Sequence, residues 1–366
     1  MGLTIGWFES GVKRGWRGAM AGFMPVSIAD VAKKARVSIS TVSRVLNRRQ
    51  LVNEKTRLRV EQAIRDLGYR PNAFARGLML RRSEMIGLLL PDLHGEFYSE
   101  IIRGANAQAR ELGYNLVLSS ARDGDDSHAL LRAMQQRTLL DGVAVMVSEL
   151  TDRIQEVLAG FALPLCVLDA EVDGSPHDSV VIDQRHGAVA LMRHVTQRAG
   201  WRRIIFVGGH ETNVDTIARL EAYLQVLAER DLPLVPGDVY HLDYQYDTAY
   251  ALAAERVRSW AGPGHGVFAA NDEMAAGIVA AATAAGVAVP QELAVVGFDD
   301  TRIARMTRPP LTTVRVPMAK MGARAVELLC QRIAEPQRPP TRISLQPELI
   351  ARESCGAPGV RLRAQA

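Results

Sequence analysis

Cysteine is scarce in this chain: three in 366 residues, Cys166, Cys330 and Cys355, far apart and without CxxC spacing. That pattern excludes a disulfide framework and a cysteine-built zinc site, and it suits a reducing cytoplasm. No apolar run reaches the length of a membrane-spanning helix, so no membrane partner is expected. Residues 1–24 hold no long apolar core, and Lys13, Arg14 and Arg17 interrupt them; no secretory signal is read there. They form either an extension or a stretch upstream of a start at Met20 or Met24. The chain also lacks a GxGxxG fingerprint, a P-loop and a GxSxG elbow; Gly208-Gly209-His210 fits none of them. No catalytic residue, metal ligand or cofactor is therefore expected.

What is present is charge, unevenly divided. The net charge is +4, yet residues 25–82 alone carry 14 Lys/Arg against 4 Asp/Glu, while residues 83–366 are net acidic. A small, strongly basic module on an acidic body points to a polyanion partner for the module only.

The basic module contains SIADVAKKARVSISTVSRVLN, Ser27 to Asn47, which reads as two short helices around a tight turn. Ile28, Val31, Ala32 and Ala35 share one helical face. Ser38 caps the second helix, whose apolar side carries Val42, Val45 and Leu46. Ile39, Ser40, Thr41, Ser43 and Arg44 then point outward, a face sized for a DNA major groove. Asn53 caps a third helix, with Leu58, Ile64 and Leu67 inside, Val60 flanking, and Gly68 at its end. Asn72 can cap a further short segment, Ala73 to Met79, too short to be a stable helix alone.

From Glu84 strands and helices alternate in two successive series, the pattern of two doubly wound parallel sheets with a cleft between them. The expected architecture is an all-α helix-turn-helix head plus an α/β two-lobed core. Its divisions are an extension (1–24), the head (25–70), a hinge helix and linker (71–83), the core (84–352) and a tail (353–366). The first lobe takes 84–183 and 316–334, and the second takes 184–315 and 340–352. In that second-lobe return, Arg342–Ile350 is one extended segment. The tail has no heptad pattern, which argues against a tetramerising coiled coil.

Several long motifs resemble the lactose/galactose repressor family. They are IADVAKKARVSISTVSRVLN, NEKTRLRVEQAIRDLGYRPNAFARGL, IGLLLPDLHGEFYSEIIRGANAQARELGY, ANDEMAAG and VVGFDDTRIARMTRPPLTTVR, in the family's order from Val26 to about Arg352. The resemblance implies a bacterial transcription regulator, usually a repressor, with a periplasmic-binding-protein-like core. It would bind double-stranded operator DNA as a homodimer and answer to a small-molecule effector.

Carried over by position, Ile39 and Ser40 match the residues that read base edges. Thr41, Ser43 and Arg44 match contacts to phosphate or nearby bases, and Ser38 and Asn47 complete that face. Leu78 matches the hinge leucine that wedges into the minor groove, with Arg76 placed for a phosphate. Arg36 stands where the family usually has glycine in the turn. If its backbone is left-handed, the cost is on the order of 1 kcal/mol.

For the effector, the resemblance implies Asp299 as hydrogen-bond acceptor, Arg219 as donor, Asn271 as an amide for hydroxyls and Tyr244 as a stacking ring. Phe97 and Tyr98 fall on the first-lobe wall, with Asp169 and Met318 as weaker candidates; Asp299 or Asp272 could instead cap a helix, and Tyr98 could be core. This set suits a carbohydrate or sugar acid, with a nucleobase as the alternative.

Overall fold

The computed structural model describes residues 26–47, 52–69, 82–120, 140–171 and 174–357. The chain forms two compact units, divided between Ser83 and Glu84. The expected hinge residues Arg76 and Leu78, the helix expected over 126–137, and residues 1–24 lie outside the described residues.

The first unit is a three-helix head: α1 Ile28–Ala35, α2 Ile39–Asn47 and α3 Glu54–Leu67. Ser27 and Asp30 make a reciprocal capping box at the start of α1, with Asp30 N to Ser27 Oγ at 3.3 Å and Ser27 N to Asp30 Oδ2 at 2.9 Å. Those hydrogen bonds hold the Asp30 carboxyl below the usual carboxylate range. Val31, Ala32, Ala35, Val42, Val45, Val60 and Ala63 close a small core. The expected faces of α1 and α2 agree with it. On α3 the expectation fails: Leu58 is 51% exposed, while Val60 is fully buried. The inward stripe runs through Val60, Ala63, Ile64 and Leu67, at helical spacing, and Leu58 falls off it.

The second unit contains two parallel sheets. β1 Met85–Leu90, α4 Gly95–Glu111, β2 Asn115–Ser120, β3 Gly142–Met146, α5 Asp152–Ala159, β4 Leu165–Leu168 and β5 Asp178–Ile182 build the first lobe. α6 Gln184–Gln197, β6 Arg203–Gly208, α7 Val214–Glu229, β7 Val239–His241, α8 Tyr246–Trp260, β8 His265–Ala269, α9 Asp272–Ala285 and β9 Ala294–Val296 build the second. α10 Arg302–Met306, β10 Thr313–Arg315, α11 Met318–Ala334, β11 Arg342–Leu345 and β12 Glu348–Ile350 follow. The first sheet has the order β11-β5-β4-β3-β1-β2, the second β7-β6-β8-β9, and β10 pairs with β12 antiparallel.

β1, β3 and β4 read as near-continuous apolar runs because helices cover both faces of a parallel sheet. α4 and α11 touch backbone to backbone. A Cβ on Gly104 would fall 1.9 Å from the Ala319 carbonyl oxygen, and one on Gly322 2.1 Å from that of Ile101.

The domain boundaries need two corrections. Arg342–Ile350 is not one second-lobe segment: β11 pairs in register with β5 as an outer strand of the first-lobe sheet, and only β12 returns to β10. The residues from 353 are not simply a tail. Glu353–Cys355 forms a 3₁₀ turn with Ser354 and Cys355 buried. Trp201 Nε1 donates to the Cys355 carbonyl at 3.0 Å, and Ser354 Oγ donates to Val295 O at 2.5 Å. The chain therefore passes between lobes after β5, after β10 and again between β11 and β12. Three crossings join the lobes.

Candidate functional site

Two candidate sites lie on different units. On the head, α2 presents Ser38, Ile39, Ser40 and Arg44 exposed, with Thr41 and Ser43 half-buried. Ile39 is 48% exposed, large and apolar, at the first turn of the helix. Ser38 Oγ accepts from the Thr41 amide at 3.2 Å and lies 2.8 Å from Ser40 Oγ and 2.9 Å from Thr41 Oγ1. It is thus cap and hydroxyl anchor together. Asn47 is the last residue of α2.

Arg36 has φ 52° and ψ 50°, fully left-handed, and its amide closes the end of α1 on Ala32 O and Lys33 O. The turn is left-handed without glycine, which is the condition for the expected cost.

The second site is a cavity of about 530 Å³ between the lobes. All seven expected effector residues, Phe97, Tyr98, Asp169, Arg219, Tyr244, Asn271 and Asp299, line it. Met318 does not; it lines a neighbouring space of about 230 Å³. Each of the seven is placed by a strand end or a helix start. Phe97 and Tyr98 sit in the first turns of α4, their rings edge to face at 5.3 Å. Asp169 follows β4 with φ 64°, and Asp299 lies beyond β9 with φ 110°. Both are left-handed, a backbone strain typical of functional loops.

Asn271 caps α9, its Oδ1 accepting from Met274 N at 2.9 Å, while its Nδ2 donates to Tyr244 O at 2.9 Å. Tyr244, itself at φ 66°, lays its ring over Gly209, where a Cβ would fall 2.0 Å from the ring. Its hydroxyl donates to Asn213 Oδ1 at 3.0 Å and lies 2.6 Å from Thr216 Oγ1. Asp272 points away from the cavity, accepting from Thr301 N at 2.8 Å and Thr313 Oγ1 at 2.6 Å. Burial pushes its carboxyl up to about 7.

Arg219 is 2% exposed and stacks 4.0 Å over the Phe298 ring. It donates to Ala270 O at 2.5 Å, Gln184 Oε1 at 2.9 Å and Asp215 Oδ2 at 3.3 Å. Burial works against its charge, but Asp215, Tyr244, Asp299 and Asp169 outweigh it and raise its pKa. Asp169 and Asp299 are both pushed well up, first by burial and then, for Asp169, by Asp215. Each keeps a buried Oδ1 with no hydrogen-bond partner.

Sequence reasoning missed Asp215 and Gln184. Asp215 lies one turn before Arg219, an i,i+4 ion-pair spacing that was available as a signal. Gln184 sits where the chain crosses between lobes, and nothing local marks it.

The lobes meet around the cavity. Val214 N donates to Ser148 O at 3.0 Å, Thr212 Oγ1 to Glu149 at 2.7 Å, and Arg302 N to Glu96 Oε2 at 2.7 Å. No helix among the described residues is long and apolar enough to cross a membrane.

A helix-turn-helix head and a two-lobed core with a polar cleft define a regulator that couples DNA to a bound small molecule. Comparison with known proteins places it more narrowly. Residues 27–72 match the bacterial regulatory proteins of the lacI family, and residues 193–355 match a periplasmic binding protein-like domain. Catabolite control protein A of Priestia megaterium is 34% identical over 84% of this chain and 92% of its own length. Among solved structures, the transcriptional regulator CelR in complex with cellobiose is 30% identical, with a TM-score of 0.66 over 90% of this chain and 99% of its own. A lac repressor dimer bound to operator and the anti-inducer ONPF is 25% identical, with a TM-score of 0.80 over the same shares. This chain belongs to the lacI family of bacterial regulatory proteins, and it is a DNA-binding transcriptional regulator.

Proposed function

We propose that this protein is a cytoplasmic, homodimeric repressor whose operator affinity is set by a carbohydrate-sized effector in the interlobe cleft, and that it catalyses no reaction. The observation that carries this reading is the cavity itself. Six residues from five separate strand–helix junctions and Asp169 from the end of β4 converge on it, and two buried acceptors there have no partner. The relatives support it: CelR is solved with cellobiose, and the lac repressor as an operator-bound dimer.

In this mechanism Ile39 and Ser40 read base edges, and Thr41, Ser43 and Arg44 hold phosphate or nearby bases. Arg76 and Leu78 act at the hinge. The effector bonds Asp299, Asp169 and Asn271, with Arg219 fixing the carboxyls and the rings of Phe97, Tyr98 and Tyr244 enclosing it. Binding shifts the lobes about their three crossings, and the operator reciprocally changes effector affinity by the same factor.

The test is a binding assay on DNA upstream of the protein's own locus, at stated salt, repeated with sugars and nucleosides. Sequence preference over bulk DNA, altered by a compound that also raises the melting temperature, is the expected result. Absence of any preference would overturn it, and turnover of a bound compound would make the protein an enzyme.

A further inference from the structure

The two lobes bring acidic faces together across the cleft. Asp169, from the end of β4 on the first lobe, meets the carboxyl of Asp215 in the first turn of α7 on the second, and both line the cavity. Glu273, in the first turn of α9, packs against the start of α4: a Cβ on Gly95 would fall 3.3 Å from Glu273 Oε1, and the next residue is Glu96. Three hydrogen bonds tie lobe to lobe around these pairs. Val214 N donates to Ser148 O at 3.0 Å, Thr212 Oγ1 to Glu149 Oε1 at 2.7 Å, and Arg302 N to Glu96 Oε2 at 2.7 Å. The last is a helix cap supplied from the other lobe, because Thr301, the N-cap of α10, makes no side-chain cap bond and gives its hydroxyl to Asp272.

We propose that closing the cleft takes up protons, one on the Asp169–Asp215 pair and one on the Glu96–Glu273 pair, so that the core is a pH-responsive switch. This goes beyond the effector reading and holds whatever the effector is.

The reason is that two carboxylates brought together away from water cannot both stay ionised, whereas parted lobes return each to solvent. Asp169 faces Asp92 and Tyr98 on its own lobe, Asp215 and Arg219 on the other, and Gln184 at the crossing. Asp215 faces Asp169, Arg219, Asp299, Tyr98 and Tyr244. Arg219 is the one cation in these sets, and Asp299, 3.9 Å away, shares it. Arg219 Nε and Gln184 Nε2 are buried donors without partners, but they add no second positive charge. Burial and then Asp215 accordingly push the Asp169 carboxyl well up.

Glu273 faces Glu96 and Asp299, while Asp272 beside it turns away to Thr301 and Thr313. Burial and Glu96 raise its carboxyl. Glu96 itself shares a neighbouring space with Glu100, Lys320, Arg305 and Arg315, the two arginines lying against Asp300 and Glu100 against Arg103. The proton of this pair therefore resides on Glu273. His94, 2.8 Å from Asp92, and His210 also line the cavity. Protonated, each adds positive charge beside the facing carboxyls and so favours closure in the same direction.

The experiment uses the full chain with no effector added. Hydrogen exchange is followed at single amides from pH 5.5 to 8.5 and corrected for the intrinsic rate. The Val214 and Arg302 amides bond across the lobes, while Leu242 N bonds Gly208 O within the second lobe and serves as reference. Protection of the two cross-lobe amides should fall with rising pH by at least about tenfold more than that of Leu242, as linkage requires of a transition that takes up a proton. Glu273→Gln and Asp169→Asn, neutral at every pH, should each shrink that excess, and the double variant should remove it. Cross-lobe protection that is constant with pH, or that falls only in step with Leu242, would sink the proposal, and so would folded variants that keep the full pH dependence. The wild-type series decides alone where a variant fails to fold.

Discussion

Asp299 and Asp300 are consecutive, both 7% exposed and both left-handed, yet they are treated in opposite ways. The Asp300 carboxylate accepts from Arg315 Nε at 2.8 Å and from Arg352, with Arg305 3.6 Å away. Arg352 in turn donates to Leu311 O at 2.8 Å, so this pair fastens the end of the chain to the second lobe. Among the described residues, the Asp299 carboxyl has Arg219 as its ion-pair partner, at 3.9 Å, and an orphaned Oδ1. A buried carboxylate surrounded by arginines is a fastening. In the proposed function, one left short of donors takes its missing partner from the effector. The same side chain one residue apart is thus saturated with arginines in one case and lines the cavity short of partners in the other.

That contrast is most exposed to Asp300→Ala, which strips the buried Arg352 of its carboxylate partner. A loss of about 3–5 kcal/mol follows for a broken buried pair, and thermal denaturation should show a drop on the order of 10 °C. A melting point within a degree of wild type would erase the distinction.

Next in size is a pH effect. Asp272, Asp169 and Asp299 all have folded pKa values above the unfolded one, so the folded state binds the extra protons. Their contribution is complete below about pH 4 and is lost as pH rises, for Asp272 up to about 7. Carboxyls held low, such as Asp66 and Glu229, act in the opposite sense only as pH falls through their own range. Core stability should therefore decline between pH 5 and 8, and Asp272→Asn should flatten that slope even as it weakens the bonds from Thr301 and Thr313.

A smaller change is Arg36→Gly, which relieves a left-handed arginine and should stabilise the head by about 1 kcal/mol. Hydrogen exchange on α1 and α2 would read it, and no change there would mean that the turn carries no strain. Least of all for stability is replacing Ile39 and Ser40, which should leave both units' melting unchanged. It should redirect operator preference by about 1–3 kcal/mol per altered base contact, measured by competition between operator variants.

The paired sheets were legible because apolar runs such as Met85–Leu90 and helical periods such as Tyr246–Trp260 repeat at regular spacing. The cleft residues were legible only through family position. Asp215 and Asn271 look like ordinary helix caps, and their approach to other strand ends is a tertiary fact. Arg342–Ile350 was misassigned for a related reason: an extended run carries no local mark of which sheet edge it will join. Leu58 was misplaced because an apolar side chain on a short charged helix fits more than one inward stripe, and packing on α1 chose the one through Val60 and Ala63.

β11 also has a meaning for synthesis. The outer strand of the first-lobe sheet is made only after the whole second lobe, and the Trp201 contact waits for Cys355. A ribosome moving along this message releases the DNA-reading head hundreds of residues before either lobe can finish. For that interval the nascent protein has its output without its sensor, and only a chain translated through Cys355 brings the two under one control.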